Sequence, residues 1–427
     1  MITFLLISFF VILALGSPIA VALGLSSALS LIIFKNANII TVAQRMFEGM
    51  NSFALLAIPF YTFAGALMSK GGISKRIIDF CYSIAGHFIG GLAHVNVLAS
   101  MVFAGISGSA VADTAGVGGL LMPEMVKKKY STEFTVAVTA ISSTIGIVIP
   151  PSIPMVVIAG ILSVSTGKLF LSGIIPGILM GVSQMAVSYW LAKKEGVPKE
   201  PGRVEIGRVA TTLWSSLAAI FMPFIIIGSI VMGVVSPTEA GVIAVVYGLL
   251  VGGLLYRELS WKDIWDALYE TARVSAKVFI IIGSAALFTK ILTTAGFHLY
   301  VRNFLLGIST NPTVILTIVC LIMLVVTTFM ESIAALTLLM PVLYPIILEV
   351  GIDPIHFCCM MVVCIGIGLV TPPVGMCLYV ACDIMKLSIG KGARALLPFI
   401  IVTVLVLIVM LACPSIVLWP TTWIGVS

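Results

Sequence analysis

The chain has 427 residues, 60% of them hydrophobic and only 9% charged, with a mean hydropathy of +1.22 and a net charge of +6. An ordinary soluble domain carries about 25% charged residues, so a soluble core of this length cannot hide so much apolar surface. The basic residues lie in short loops, which suits topology setting rather than nucleic-acid binding; the composition implies an all-α polytopic membrane protein with spans of roughly 20 residues.

In chain order, residues 2–17 and 18–34 read as spans divided at "GSP". The first has no basic n-region and no small-residue cleavage site, so it reads as a retained span rather than a signal peptide. Residues 36–50 are amphipathic and are expected along the interface. Residues 52–68 form a span that ends at "SKGGISKR". Residues 89–126 are too long for one span and have a polar middle, "GISGSAVADTAG", which reads as a hairpin entering and leaving on one side. Residues 132–165 form a span broken at "GIVIPPSIP", and 169–192 return. A polar cytoplasmic linker, 193–208, then joins the halves. The second half repeats the order: spans 209–232 and 240–255, an interfacial arm 258–277, a span 278–292, a hairpin 312–350, a broken span 355–386 and a last span 394–419. The units are thus a first repeat, 1–192, and a second, 209–427.

Sequence matches carry the duplication. "GIVIPP" at 146–151 returns as "GLVTPP" at 368–373, and the same shift of 222 puts Pro176 on Pro398. "LLMP" at 120–123 returns at 338–341, a shift of 218 that puts Asp113 on Glu331. Loop charge gives the orientation. Lys127–Lys129 follow the first "LLMP", and the loop after the second has no Lys or Arg. Past the proline pairs the bias reverses: Lys168 alone in the first copy, Lys386, Lys391 and Arg394 in the second. Because Lys- and Arg-rich loops are cytoplasmic, the copies are expected to be inverted repeats.

Pro150 and Pro151, like Pro372 and Pro373, remove backbone donors and cannot sit inside an uninterrupted helix. The carbonyls they free are tolerated at membrane depth only where they line a polar cavity. A broken helix offers carbonyls to a cation such as Na⁺ at one end and free N–H groups to a carboxylate at the other. Inverted repeats with broken helices and re-entrant hairpins are the pattern of secondary transporters. Two cation sites are therefore expected. The first joins Ser107, Gly108 and Ser109 of the first hairpin tip to Ser143 and Gly146. The second joins Thr327, Thr328 and Glu331 of the second tip to Gly366, Gly368 and Thr371. An anionic substrate is expected near Ser107, Ser109, Asp113, Ser152 and Thr371. An intramembrane carboxylate is usually functional; the alternative for Asp113 and Glu331 is a cap or first-turn acid of the second hairpin helix.

Other polar residues read as structural. Asp383 and Glu239 fall near span ends, and His87, His94 and Asn96 read as packing residues. The eight cysteines (81, 320, 358, 359, 364, 377, 382, 413) form no CxxC pair, and they read as small buried hydrophobes. Sodium is the only metal expected. No organic cofactor is expected, and no Walker motif occurs.

"GGLAHVNVLASMVFAGISGSAVADTAGVGGLLMPEM" (90–125), "IGIVIPPSIPMVVIAG" (145–160) and "GIDPIHFCCMMVVCIGIGLVTPPVGMCLYVA" (351–381) resemble the large membrane subunit of tripartite ATP-independent periplasmic (TRAP) transporters. The resemblance covers essentially the whole chain. It implies a multi-pass protein of the bacterial inner membrane that imports organic anions with Na⁺ by an elevator motion. It implies three partners: a soluble periplasmic substrate-binding protein, a small four-helix membrane subunit, here expected as a separate polypeptide, and membrane lipid. It further implies roles for Ser107, Asp113 and Ser152. Glu331 and Cys364 stand where some members have Asp and Asn, which sets the second cation site apart from the first. Among the family's substrates, sialic acid and C4-dicarboxylates, the overall likeness leans to sialic acid. Two rival functions are a stand-alone ion-coupled carboxylate carrier and an intramembrane hydrolase built on Asp113 and Glu331 or on a Ser with His94.

Overall fold

A computed structural model describes residues 1–34, 39–197, 199 and 205–423. Regular structure among the described residues is helical, and eight of the helices are long and apolar enough to cross a membrane. Helix starts follow local caps. Ser131 accepts the Phe134 amide at 3.1 Å, and Asp353 accepts those of Ile355 and His356 at 2.8 and 3.1 Å.

The first broken segment runs over Thr132–Ser143, tightens into a 3₁₀ turn at Thr144–Ile147 and resumes at Ile153–Leu162. The second runs over Pro354–Gly368 and resumes at Met376–Met385. Both interruptions fall at the proline pairs, each of which has a cis X-Pro bond. All residues in 134–148 and 355–370 are buried. A helix that is apolar on every side is one surrounded by protein, so both broken segments form the centre of the molecule. They touch where a Cβ on Gly366 would lie 3.5 Å from that of Thr144. At the first break Pro150, Pro151 and Ser152 are buried too, so its opened backbone is screened from lipid, whereas at the second break Pro372, Pro373 and Val374 are exposed. The outer spans carry exposed Trp214, Phe221, Phe224, Val325 and Ile401, a surface suited to acyl chains.

Two helical hairpins pack against this centre: Gly91–Ser107 with Ala110–Lys127, and Pro312–Phe329 with Ser332–Glu349. Gly108, at φ +60°, makes the first tip, and Met330, with extended backbone, makes the second.

Several boundaries differ from the sequence reading. The arm 258–277 and the span 278–292 are one helix, Trp261–Thr294, because the amphipathic face runs straight into the apolar stretch with no Gly or Pro between them before Gly283. In the first half the corresponding pieces are separate, Ile39–Met50 and Ala57–Lys70, with a 3₁₀ turn at Phe53–Leu56 between them; residues 36–38 of the expected arm lie outside the described residues. Amphipathic helices Ile73–Ala85 and Phe297–Ile308 precede the hairpins and were not anticipated. Each begins after a glycine with φ +75°, Gly72 or Gly296. The return expected at 169–192 starts earlier, at Thr166, and is interrupted at Gly173. The last span lies at Ile389–Ala412. Within the linker, 198 and 200–204 lie outside the described residues.

The register of the halves also changes. Ala110–Lys127 and Ser332–Glu349 have the same length and start 222 positions apart. The "LLMP" match at 218 is thus one helical turn out of step. In register, Pro123 pairs with Pro345, Asp113 with Ala335 and Glu331 with Ser109. The reason is chemical. Apolar residues slide past one another without penalty, whereas a helix start needs an acceptor at one position. Ser109 fills it by accepting the Ala112 amide at 3.4 Å, and Glu331 by accepting those of Ile333 and Ala334 at 3.1 and 3.3 Å.

Candidate functional site

Each tip is seated on the break of the broken segment beside it. At the first, the Ile153 amide donates to the Gly108 carbonyl at 3.3 Å. A Cβ on Gly108 would meet the Pro151 carbonyl at 2.6 Å, so both the positive φ and the close approach require glycine there. Ser107 and Ser109 close on one another: the Ser109 amide donates to the Ser107 hydroxyl at 3.4 Å. Gly146 faces the backbone of Ser109 and Ala110. At the second tip, the Val374 amide donates to the Thr328 carbonyl at 3.0 Å. Gly368 lies against Thr327, whose Oγ1 would be 2.2 Å from an added Cβ.

Behind the first tip is Asp113, fully buried in the first turn of its helix. Ser100 on the hairpin and Ser143 on the first broken segment lie toward its carboxylate, and the Cys377 thiol is near it. Ser100 donates to Ser142 at 3.1 Å and Ser143 donates to the Thr139 carbonyl at 2.8 Å. Both hydroxyls thus have other partners as well, and neither Asp113 oxygen makes a hydrogen bond of ordinary geometry among the described residues. A buried carboxylate left this way is costly and is a ready ligand for a small hard cation. Asn96, expected to be a packing residue, staples the same hairpin to the first broken segment, donating to Thr139 at 2.7 Å and accepting from Ser142 at 3.0 Å.

Ser107 and Ser109 also line a cavity of about 330 Å³, facing Thr62, Ser69 and Lys70 of Ala57–Lys70 and Glu270 of the long helix Trp261–Thr294. The Thr62 hydroxyl is buried without a partner. Hydroxyls with one ammonium and one carboxylate can hold a small polar anion. Two residues expected beside it lie elsewhere. Ser152 is buried, donates to the Ile147 carbonyl at 2.5 Å and accepts the Met155 amide at 3.3 Å, so it closes the first break. Thr371 donates to the Ile367 carbonyl at 2.7 Å and belongs to the second break.

Glu331 caps its helix and also lines a second cavity, of about 710 Å³, with Lys277, Ser284, Val374 and Met376. Its walls are otherwise apolar. The sequence reading missed Thr62, Lys70, Glu270 and Lys277. Each is a single polar residue with no motif around it, and only the folded chain brings it to a tip.

The family described as "Tripartite ATP-independent periplasmic transporter, DctM component" matches residues 6–416. The isethionate TRAP transporter permease protein DctMQ of Oleidesulfovibrio alaskensis is 38% identical over 96% of this chain, which spans 64% of that protein's length. The C4-dicarboxylate TRAP transporter large permease protein DctM of Pseudomonas aeruginosa is 37% identical over 95% of each chain. Among solved structures, the YdaH transporter of Alcanivorax borkumensis superposes with a TM-score of 0.65 over 88% of each chain, at 15% identity, a likeness of fold alone. The chain belongs to the DctM family of TRAP transporter large permeases. It is a multi-pass membrane transport protein rather than an enzyme, which sets the hydrolase reading aside.

Proposed function

We propose that the chain is the large permease of a sodium-coupled importer that moves an organic anion across the bacterial inner membrane. Two sodium ions are the coupling ions, one at each tip, and the substrate anion occupies the cavity between Ser107, Ser109, Thr62 and Lys70. The copies lie inverted, as the loop charges suggest, and hairpins and broken helices move together against the remaining spans. The observation that carries the reading is Asp113, a fully buried carboxylate whose two oxygens have no hydrogen-bond partner among the described residues, behind a tip of hydroxyls. Such a group accommodates a cation far better than it tolerates isolation.

The relatives narrow the substrate class. One is named for isethionate, a sulfonate, and another for C4-dicarboxylates, yet both match at nearly the same identity. The shared chemistry is an acid that is anionic at neutral pH, which sialic acid also satisfies. Substrate is delivered by a soluble periplasmic binding protein, and a small membrane subunit completes the permease; the relative's name DctMQ is in keeping with that.

The test is uptake into proteoliposomes that hold the chain and the small subunit, driven by an inward Na⁺ gradient, with the binding protein outside. Uptake that needs both Na⁺ and the binding protein supports the reading. Uptake without the binding protein returns the stand-alone carrier, and uptake indifferent to Na⁺ removes the coupling.

A further inference from the structure

One helix, Trp261–Thr294, forms a wall of both tip cavities. Glu270 and Val274 line the first, and Lys277, Ile281 and Ser284 line the second. Glu270 and Lys277 stand seven residues apart, about two turns or 10 Å along the helix. The helix thus presents a carboxylate to the tip rich in hydroxyls and an ammonium to the tip whose cap is a carboxylate.

Among the described residues, Lys277 and Glu331 are the charged ones lining the second cavity. Glu331 Oε2 is engaged by the Ile333 and Ala334 amides, which leaves Oε1 for a cation. Lys277 faces that carboxylate across the cavity. An ionisable residue at membrane depth is functional by default, with its partner the group to name.

We propose that Lys277 is a tethered counter-cation for the second tip: it neutralises Glu331 while the tip carries no ion, and an incoming sodium ion must displace it. This rests on the sodium-coupled reading above. Because Glu331 belongs to a hairpin tip and Lys277 to the long helix, their attraction holds the hairpin against the wall. Sodium then does two things in one event: it fills the site and releases the hairpin. At the first tip no cation among the described residues stands in this relation to Asp113, whose neighbours are hydroxyls and a thiol.

The experiment is a Na⁺ titration of the thermal stability of the purified full-length chain, with choline holding the ionic strength constant. Wild type is compared with Lys277→Met, which keeps the stem and removes the charge, and with Lys277→Arg. Lys277 is exposed, so both variants should fold. Removing the competitor should lower the half-saturating Na⁺ concentration by about fivefold, the effect of one opposite charge at contact distance in water-like surroundings. Lys277→Arg should stay near wild type. An unchanged or raised half-saturation in Lys277→Met overturns the proposal while leaving sodium coupling intact. A wild type that does not respond to Na⁺ at all overturns the sodium reading and this inference together.

Discussion

The two tips share one backbone operation and differ in every side chain that matters. Both set a tip carbonyl against an amide just past a proline pair, Gly108 with Ile153 and Thr328 with Val374. The first tip then surrounds that geometry with hydroxyls and hides a bare carboxylate one turn behind it. The second has Met330 where the first has Gly108, and it moves its carboxylate forward into the cap. One cavity is small and lined by hydroxyls and charges among apolar residues, and the other is larger and apolar apart from Lys277, Ser284 and Glu331. The two halves therefore agree in where the main chain opens, while the acid beside each opening comes from a different turn. If so, the first acid should be dispensable for folding and essential for ion binding, and the second should matter to both.

Asp113→Asn is the largest expected effect. Removing the charge partner of a buried ion forfeits about 3–5 kcal/mol, so sodium-driven uptake should fall by about a hundredfold or more. Without sodium the same variant should melt at a higher temperature than wild type, because a buried carboxylate with no partner among the described residues is gone. Differential scanning of both proteins with and without Na⁺ checks the pair of signs. A variant that is less stable without sodium and still transports would show that Asp113 is a structural acid, and the contrast between the tips would vanish.

The glycines of the two breaks give a sharper, smaller contrast. An added Cβ on Gly368 would lie 2.2 Å from Thr327 Oγ1 and 3.0 Å from its carbonyl. On Gly146 the nearest foreign atom would be at 3.6 Å, an ordinary contact. Gly368→Ala should therefore cost about 1–3 kcal/mol of stability by overpacking, and Gly146→Ala should stay within about 0.5 kcal/mol of wild type. Thermal unfolding in detergent would rank them; equal losses would mean that the second tip is no more tightly seated than the first.

The reach of sequence reasoning follows the same divide. Broken segments, hairpins and tip residues were legible because prolines, glycines and long apolar runs act locally and leave marks at fixed spacing. Three things were not. The arm and span of the second half fuse into Trp261–Thr294 because nothing in 258–282 stops a helix, a matter of absent punctuation that a repeat argument overrides too readily. The pairing of Asp113 with Glu331 followed an apolar word, "LLMP", although the helix cap sets the register. Lys70, Glu270 and Lys277 reach the tips only through packing of distant helices, which no spacing reveals. Ser152 and Thr371 illustrate the converse: hydroxyls at the right place in the chain already committed to Ile147 and Ile367 carbonyls.

The smallest expected effect tests the register itself. If Ser109 and Glu331 are equivalent caps, replacing either with alanine should destabilise its hairpin, but by unequal amounts. Ser109 offers one neutral acceptor at 3.4 Å, a long contact, so Ser109→Ala should cost about 0.5 kcal/mol, the low end for a lost cap. Glu331 accepts two amides and places a negative charge at the positive end of the helix, so Glu331→Ala should cost about 1–2 kcal/mol. Glu331→Gln keeps an acceptor and loses the charge, and should fall between the two. Hydrogen exchange at Ala112, Ile333 and Ala334 would read each cap directly, since a lost acceptor frees the amide it held. Faster exchange confined to the first turn of the matching helix is the expected result. If Asp113→Ala rather than Ser109→Ala mirrored Glu331→Ala at these amides, the halves would align at the shift of 218 after all, and the cap would have no claim to set the register.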